Sequence, residues 1–265
     1  MLDQPADRGR GEAGESSLAA FAAHHPVRYL WGLAADLWIA LSTLVLGLLA
    51  IALMMVTRRT WPVDVIGRWW GRAIVRVCGI DLTVEGLERL TPGRSYVLIS
   101  NHLSNFDIWC TLASMPFLLH FVAKKELLRI PVLGQALAMS DHIVIDRRNP
   151  DEAIRRINDT AARAPQGVGI LFYGEGTRSR DGQVHEFKKG GVSLALQAQL
   201  PVVPVSISGT RKFLPRGCAV IRPGGRVRIV LGEPIETAGM PFAARDELNQ
   251  RVRDAVVRAF IPNLA

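Results

Sequence analysis

The feature that most constrains this chain is an uncharged apolar run from Leu37 to Val56. Its length matches the ~20 residues that a helix needs to cross the hydrocarbon core of a bilayer. The run follows a long leader and ends at Thr57-Arg58-Arg59, unlike a cleaved signal peptide. A buried core helix is the alternative, although soluble helices seldom stay apolar on every face over this length. The sequence therefore predicts a retained membrane anchor, which either crosses the bilayer or turns back.

The segment after this run predicts a helix that lies in the membrane surface. At ~100° per residue its apolar side chains share one face, and a stripe of arginines runs beside them. The apolar set is Ile66, Trp69, Trp70, Ala73, Ile74 and Val77, and the stripe is Arg68, Arg72 and Arg76. Tryptophans and arginines at this depth are typical of interfacial helices; a surface helix packed on the core is the alternative. Positive charge after the apolar run predicts that the following domain is cytoplasmic.

The overall composition favours one sizeable core with an anionic partner. The 265 residues are 49% hydrophobic, and 32 Lys and Arg against 24 Asp and Glu give a formal charge of +8. That charge suits a phosphate-bearing substrate, an acidic membrane surface or a nucleic acid, but no nucleic-acid-binding motif is present. Cys78, Cys110 and Cys218 form neither a zinc motif nor a disulfide framework, so we expect thiols in a reducing compartment. No His pair at helical spacing with a carboxylate indicates a metal, and we expect none.

The chain divides into three predicted parts. Residues 1–25 are polar and without periodicity, which predicts a disordered tail, and residues 26–79 are predicted to form the membrane-anchoring helices. Residues 80–265 alternate β-branched runs with helical stretches, which predicts an α/β domain whose mixed, largely parallel sheet is flanked by helices. Candidate strands are 81–84, 96–100, 118–123, 143–146, 169–172, 202–208 and 227–231. Candidate helices are 107–114, 126–138, 151–164, 189–199 and 244–260.

The first candidate site directly follows the strand 96–100 and reads Asn101-His102-Leu103-Ser104-Asn105-Phe106-Asp107. Sites on open α/β sheets collect at the carboxyl ends of strands. On a continuous helix His102 and Asp107 would be ~140° apart, so a turn must separate them if they meet. Asp107 could then accept the Nδ1 proton of His102 and leave Nε2 free to take a proton from a substrate hydroxyl. A helix-capping Asp beside a surface His would have the same sequence.

A covalent route would need an enzyme nucleophile. The sequence contains no Gly-x-Ser-x-Gly elbow, and an acceptor that attacks with its own hydroxyl needs none. Ser104 remains the alternative nucleophile.

Two further strand ends carry polar groups that suit an anionic ligand. Arg147 follows the strand 143–146, and a guanidinium can bind phosphate in bidentate fashion. His142 and Asp146 on that strand have no turn between them, so we interpret them as structural. The strand 169–172 leads into Tyr173-Gly174-Glu175-Gly176-Thr177-Arg178, where glycines allow close backbone approach and Arg178 supplies charge. Glu175 is expected to orient Arg178 or a substrate hydroxyl.

A proline inside an apolar run gives the fourth feature. Pro204 interrupts Val202-Val203-Pro204-Val205, which predicts an edge strand or a bulge beside the site.

Together these segments resemble the 1-acyl-sn-glycerol-3-phosphate acyltransferases of the glycerolipid acyltransferase family, over residues 80 to about 235. The matching blocks are Asn101-His102 with Asp107, Ile145-Asp146-Arg147, Glu175-Gly176-Thr177-Arg178 and Val203-Pro204-Val205. The resemblance implies transfer of a fatty acyl chain from acyl-CoA or acyl-carrier protein to the free hydroxyl of 1-acyl-sn-glycerol-3-phosphate, giving phosphatidic acid. It implies no cofactor and no covalent enzyme intermediate.

The resemblance also implies roles for particular residues. His102 is the base and Asp107 its orienting partner, while the acceptor's phosphate and glycerol are bound by Lys124, Arg147, Glu175, Gly176, Thr177 and Arg178. Lys125 could substitute for Lys124. The family usually has Phe-Pro where this chain has Tyr173-Gly174, which implies a less rigid turn and leaves acceptor selectivity open.

Two other functions stay open at this stage. The same chemistry could act on a lyso-ornithine lipid or a lysophospholipid, and a non-catalytic basic membrane-binding protein is the alternative from another class.

The expected partners are a membrane lipid acceptor, the acyl donor and an anionic membrane surface, without nucleic acid. The expected location is the inner (cytoplasmic) membrane, with the catalytic domain on its cytoplasmic face.

Overall fold

The computed structural model describes residues 20–146, 166–215 and 218–264, together with residues 149, 152, 155, 156 and 159. Most of the predicted tail and most of the predicted helix 151–164 therefore lie outside the described residues. So does Arg147, the predicted phosphate ligand.

In the described part of the chain, seven strands form one mixed sheet in the order β1-β7-β6-β2-β5-β3-β4. Neighbouring strands are parallel except β6 and β7, which are antiparallel. The strands are β1 Ile80–Glu85, β2 Tyr96–Ser100, β3 Leu118–Lys124, β4 Ile143–Ile145, β5 Val168–Tyr173, β6 Val202–Ser208 and β7 Gly225–Leu231. The predicted α/β class and largely parallel sheet are confirmed.

Helices cover both faces of this sheet. Those of the described residues are α1 Pro26–Thr57, α2 Trp61–Val77, α3 Phe106–Ser114, α4 Leu133–Ala138, α5 Gly190–Ala198 and α6 Arg245–Ala259. The predicted helix 126–138 is wrong in its first half, where a short 3₁₀ segment, Lys125–Arg129, precedes α4. The break is at Pro131, because proline lacks an N–H and forces Ile130 into an extended conformation.

The central strand β2 is buried on both sides, which explains its unbroken apolar sequence. Side chains alternate across a strand, so Leu98 packs into the core that includes Ile74 of α2 and Phe106 of α3. Val97 and Ile99 point to the other face and pack with residues of α5 and α6. The end of β2 is thus held from both faces where the segment with His102 begins.

The prediction that Pro204 marks an edge strand is wrong, since β6 lies between β2 and β7. The carbonyl of Pro204 accepts a hydrogen bond from Gly232 N at 2.8 Å, just beyond the end of β7. The N and C=O of one residue in a strand point to the same side, so the missing N–H of Pro204 also faces this side. An interior proline is tolerated because the regular β6–β7 ladder begins only at Val205.

Among the described residues, α1 is the one helix long and apolar enough to cross a membrane. Its Leu41 and Leu48 are 54% and 51% exposed. Yet α1 also contacts the globular domain at two distant points. Arg28 donates hydrogen bonds to the carbonyls of Pro223 and Gly224, and Gly47 lies directly against Val132.

The predicted apolar face of α2 is divided between the core and the exterior. Ile74 is fully buried in the core, whereas Trp69 is 66% exposed with the guanidinium of Arg72 5.6 Å from its ring centroid. Gly71 allows close packing, since a Cβ there would lie 2.8 Å from the carbonyl oxygen of Trp109 on α3. One side of α2 therefore packs against the domain core, and Trp69 lies at the surface.

Candidate active site

The sheet order brings the predicted site residues to one edge. Strands β2, β5, β3 and β4 are consecutive and parallel, so their carboxyl ends lie side by side. His102 follows β2, the turn with Glu175 and Arg178 follows β5, Lys124 ends β3, and Asp146 follows β4. Four segments that are far apart in the sequence thus share one rim of the sheet.

His102 and Asp107 meet across the turn between β2 and α3. The Nδ1 of His102 lies 2.6 Å from Oδ2 of Asp107, which is fully buried, while the imidazole remains 13% exposed. Oδ2 also accepts the N–H groups of Leu103 at 2.7 Å and Ser104 at 2.9 Å. Oδ1 accepts the hydroxyl of Thr210. These contacts fix the carboxylate, and no described residue hydrogen-bonds to Nε2 of His102, so this atom is available to a substrate.

The ring of His102 stacks on Tyr173, with centroids 3.9 Å apart and planes 15° from parallel. Burial raises the pKa of the Tyr173 phenol well above its ordinary value, so the ring stays neutral. The next residue, Gly174, faces the ring of Phe187, where a Cβ would come within 2.6 Å. Phe187 occupies the space that a side chain at position 174 would need, which accounts for glycine at this position of the turn.

Glu175 contacts the main chain of His102. Its Oε1 accepts the His102 N–H at 3.0 Å, and Ser179 N donates to the His102 carbonyl at 2.7 Å. The turn after β5 therefore holds the His102 peptide from both sides. Oε2 of Glu175 is buried and has no hydrogen-bond partner in the described parts of the chain, and burial raises the pKa of this carboxyl.

The sequence did not predict this contact, because it depends on β2 and β5 being neighbours. The same holds for Asn101, whose amide exchanges two hydrogen bonds of 2.8 Å with the backbone of Ile207 in β6. Asn101 thus joins the start of the catalytic segment to the strand on its other side. A fully buried amide needs such partners, so these hydrogen bonds explain why an asparagine precedes His102.

Cationic side chains lie at the carboxyl ends of β5 and β3. Arg178 is partly buried in the turn after β5, Lys124 is exposed at the end of β3, and Thr177, next to Arg178 in the sequence, is exposed. Gly176 has φ +68°, a left-handed conformation that suits glycine. Lys125 lies 3.5 Å from Asp146. These groups occupy the rim on which the acceptor's phosphate is expected.

His142 and Asp146, interpreted as structural from the sequence, line the same pocket. The Nδ1 of His142 is 3.4 Å from the N of Phe121, and burial lowers the pKa of this imidazole to about 4. Cys78 and Cys110 are buried, and burial raises the pKa of the Cys78 thiol to about 12 and that of Cys110 well above its ordinary value. Among the described residues, no group of three or more His, Cys, Asp or Glu could hold a metal ion.

Ser104 is fully buried, and its hydroxyl donates to the carbonyl of Leu214 at 3.0 Å. We predict that Ser104→Ala leaves kcat within about threefold of wild type and lowers the free energy of unfolding by about 1 to 2 kcal/mol, because the variant loses the hydrogen bond to Leu214 and the longer one that the hydroxyl accepts from Phe106 N. Steady-state kinetics and thermal unfolding of the purified variant measure both. A loss of more than a hundredfold in kcat in a folded variant would indicate that Ser104 is a nucleophile after all.

A histidine held by a buried carboxylate, with cationic residues on the same rim of the sheet, is a site that suits an acyltransferase. Comparison with known proteins agrees: residues 81–208 match the Acyltransferase family model. A 1-acyl-sn-glycerol-3-phosphate acyltransferase of Limnanthes douglasii is 31% identical over 229 residues, which cover 84% of this chain and 80% of that protein. The Bos taurus 1-acyl-sn-glycerol-3-phosphate acyltransferase alpha is 32% identical over 185 residues, covering 69% and 63%.

A solved structure has the same fold. The 1-acyl-sn-glycerophosphate (LPA) acyltransferase PlsC from Thermotoga maritima aligns with a TM-score of 0.70 and 27% identity, covering 87% of this chain and 95% of that one. The chain belongs to the 1-acyl-sn-glycerol-3-phosphate acyltransferase family and is an O-acyltransferase.

Proposed function

We propose that this enzyme transfers a fatty acyl chain from a thioester donor to the free hydroxyl of 1-acyl-sn-glycerol-3-phosphate, forming phosphatidic acid. The observation that carries the proposal is the buried Asp107 carboxylate 2.6 Å from Nδ1 of His102, with Nε2 open. The acceptor is taken from the named activity of the relatives.

The geometry suits direct transfer. Nε2 of His102 takes the proton of the acceptor hydroxyl while its oxygen attacks the thioester carbonyl, and Asp107 stabilises the imidazolium that forms. The tetrahedral intermediate then collapses: the ester C–O bond remains, the C–S bond breaks, and the departing thiolate takes the proton from His102. The acceptor attacks with its own hydroxyl, so no enzyme acyl intermediate is needed, and the Ser104 hydroxyl is engaged with the carbonyl of Leu214.

The acceptor's phosphate is proposed to bind among Lys124, Arg178 and Arg147, with Thr177 and the backbone at Gly176 contributing hydrogen bonds. Oε2 of Glu175, buried without a partner among the described residues, is proposed to accept a hydroxyl of the acceptor's glycerol. Lys124 ends β3 and Arg178 follows β5, so the acceptor's phosphate end would lie on that side of His102.

We predict that Arg178→Ala raises the KM for lysophosphatidate about tenfold or more and changes kcat less, because a charged hydrogen bond to phosphate is worth ~1.5–3 kcal/mol. Arg251→Ala is the matched control, since Arg251 is an exposed arginine of α6 remote from this rim. Initial rates at varied acceptor and fixed, saturating donor measure the effect. An unchanged acceptor KM would contradict the phosphate role.

The function itself is tested by substrate choice. The purified enzyme in detergent is offered lysophosphatidate, lyso-ornithine lipid and lysophospholipids, each with acyl-CoA or acyl-carrier protein, and products are identified by mass spectrometry. We expect phosphatidic acid as the main product. A preference for lyso-ornithine lipid or a lysophospholipid would mean that this lipid, and not lysophosphatidate, is the acceptor. Vesicle binding without acyl transfer in any combination would favour a non-catalytic membrane protein.

We further propose that the enzyme lies on the cytoplasmic face of the inner membrane, with α1 resting in one leaflet. The contacts of α1 with the domain at Arg28 and at Gly47 are 47 − 28 = 19 residues apart, or roughly 28 Å along the helix. A helix held against the domain at both points lies alongside it. Its outward face, with Leu41 and Leu48, would then be immersed in lipid, and Trp69 of α2 would lie at headgroup depth.

The apolar face of α1 gives a prediction about membrane binding. Replacing Leu41 and Leu48 together by aspartate is expected to lower partitioning onto anionic vesicles by about a hundredfold or more, because each buried Leu contributes ~1.5–3 kcal/mol. Co-sedimentation with vesicles measures the bound fraction. The matched control is Val257→Asp, which alters an exposed apolar residue of α6. Equal binding of the double variant and wild type would show that α1 is not the membrane contact.

A further inference from the structure

Lys188, which is not among the residues predicted from the sequence, lies against the turn after β5. Its side chain passes over Gly176, where a Cβ would come within 3.0 Å of Cδ and 3.3 Å of Nζ. Gly176 belongs to the turn that carries Glu175 and Arg178, and Glu175 accepts the N–H of His102. The ammonium group of Lys188 therefore lies beside the neighbour of the residue that holds the His102 main chain.

The backbone around Lys188 has partners on two sides. Its N–H donates to the carbonyl of Gly174 at 2.8 Å, and the buried ring of Phe187 packs on Gly174. The carbonyl of Phe187 accepts a hydrogen bond from Nδ2 of Asn249 in α6 at 2.9 Å. The main chain thus fixes where the exposed side chain of Lys188 starts, next to the turn.

Neighbouring carboxylates do not neutralise the charge of Lys188. Glu186 pairs with Arg253 at 3.4 Å and Lys189 pairs with Asp246 at 2.8 Å, both partners being on α6. In the described parts of the chain, no carboxylate lies within 4.0 Å of the Lys188 ammonium. Of two adjacent lysines, one therefore attaches the segment to α6, and the other lies at the turn with its charge available to a ligand.

A second cation on this turn affects which kind of phosphate the site binds best. A phosphomonoester carries about −1.5 to −2 charges at pH 7, because its second pKa is about 6. A phosphodiester has lost that second ionisation and carries a single charge. The attraction to an added cation grows with the charge of the ligand, so an ammonium near Arg178 strengthens the binding of a monoester more than that of a diester.

We propose that Lys188 binds the phosphate of the acceptor and favours acceptors whose phosphate is a monoester over those whose phosphate is a diester. The observation that carries this inference is the position of its ammonium beside Gly176, on the turn that also carries Arg178, without a carboxylate partner among the described residues. The inference rests on the proposed function and adds to it a residue that selects the acceptor's head group.

The first test separates the charge of Lys188 from its packing. Lys188→Met keeps an apolar stem over Gly176 and removes the charge, Lys188→Arg keeps the charge, and Lys189→Met is the matched control. We expect Lys188→Met to raise the KM for lysophosphatidate about tenfold, with kcat and the KM for oleoyl-CoA within about twofold of wild type. Lys188→Arg should stay within about threefold of wild type in every constant, and Lys189→Met within about twofold.

The second test measures selectivity without turnover. Dodecyl phosphate is a monoester and methyl dodecyl phosphate is the corresponding diester, and isothermal titration calorimetry in one detergent gives the Kd of each. We expect Lys188→Met to raise the Kd of dodecyl phosphate about tenfold and that of the methyl ester less than about threefold. Thermal unfolding of the same samples checks that the variants are folded.

Other results would overturn the inference in distinguishable ways. Equal losses for the two inert lipids would mean that Lys188 does not distinguish a monoester from a diester, and equal losses in Lys188→Met and Lys189→Met would indicate general attraction of anionic lipid. A raised KM for oleoyl-CoA alone would assign Lys188 to the donor, and unchanged constants would remove it from substrate binding. If the wild-type enzyme does not acylate lysophosphatidate, the proposed function fails, and calorimetry still decides whether Lys188 binds a phosphomonoester.

Discussion

Replacing His102 by glutamine is expected to lower kcat by about a thousandfold, within the 10²–10⁴ range typical of a lost general base. Glutamine can still donate a hydrogen bond toward Asp107 but has no group that takes a proton from a hydroxyl at neutral pH. The KM values should change little, because the proposed phosphate ligands are untouched. Substrate binding and proton transfer therefore separate in this variant.

The measurement is release of free thiol from the donor under saturating lysophosphatidate, with thermal unfolding as a check of the fold. His185→Gln is the matched control, because His185 is exposed in the loop after β5 and contacts Asp181 rather than the catalytic pair. It should retain wild-type kcat. If the His102 variant kept more than a tenth of wild-type kcat, the base would have to be another residue.

Replacing Asp107 should produce two different effects, depending on the substitute. Asp107→Asn preserves the shape but removes the charge that stabilises the imidazolium, and we expect kcat to fall by about a thousandfold. Asp107→Ala also leaves the N–H groups of Leu103 and Ser104 buried without an acceptor. We therefore expect a loss of about 3 kcal/mol in the free energy of unfolding, or roughly 6 to 12 °C in Tm.

Kinetics and calorimetry on both variants distinguish a role of Asp107 in orienting His102 from a role in stabilising the fold. Asp181→Asn is the matched control, since Asp181 is an exposed carboxylate that also pairs with a histidine. A variant Asp107→Asn with wild-type kcat would show that the carboxylate serves only the fold. A variant Asp107→Ala with unchanged Tm would show instead that the buried N–H groups find other acceptors.

The elements of the fold were largely predictable because their signals are local. β-branched runs bounded by turn residues gave all seven strands, with ends displaced by at most two residues. The order of the strands in the sheet was not predictable in this way, since pairing depends on contacts between distant segments. Pro204 shows the difference: its sequence suggested an edge, but β7 ends beside it and leaves room for a proline inside the sheet.

The contacts of the site residues show the same difference between local and long-range signals. His102 and Asp107 are five residues apart, so a turn after a strand was enough to predict that they meet. Glu175 reaches the His102 N–H across 73 residues of sequence, and no local pattern encodes that contact. A pocket lined by Leu103, by the turn after β6 and by Leu264 near the C-terminus is less predictable still, because its walls come from distant segments.

With α1 in the bilayer, as proposed, the two substrates reach the enzyme by different routes. An acceptor that shares the bilayer with the enzyme reaches it by lateral diffusion in two dimensions, so its supply depends on its mole fraction among the lipids. The water-borne donor arrives by diffusion in three dimensions. Diluting the vesicles with buffer would leave the first supply unchanged, whereas adding inert phospholipid would lower it.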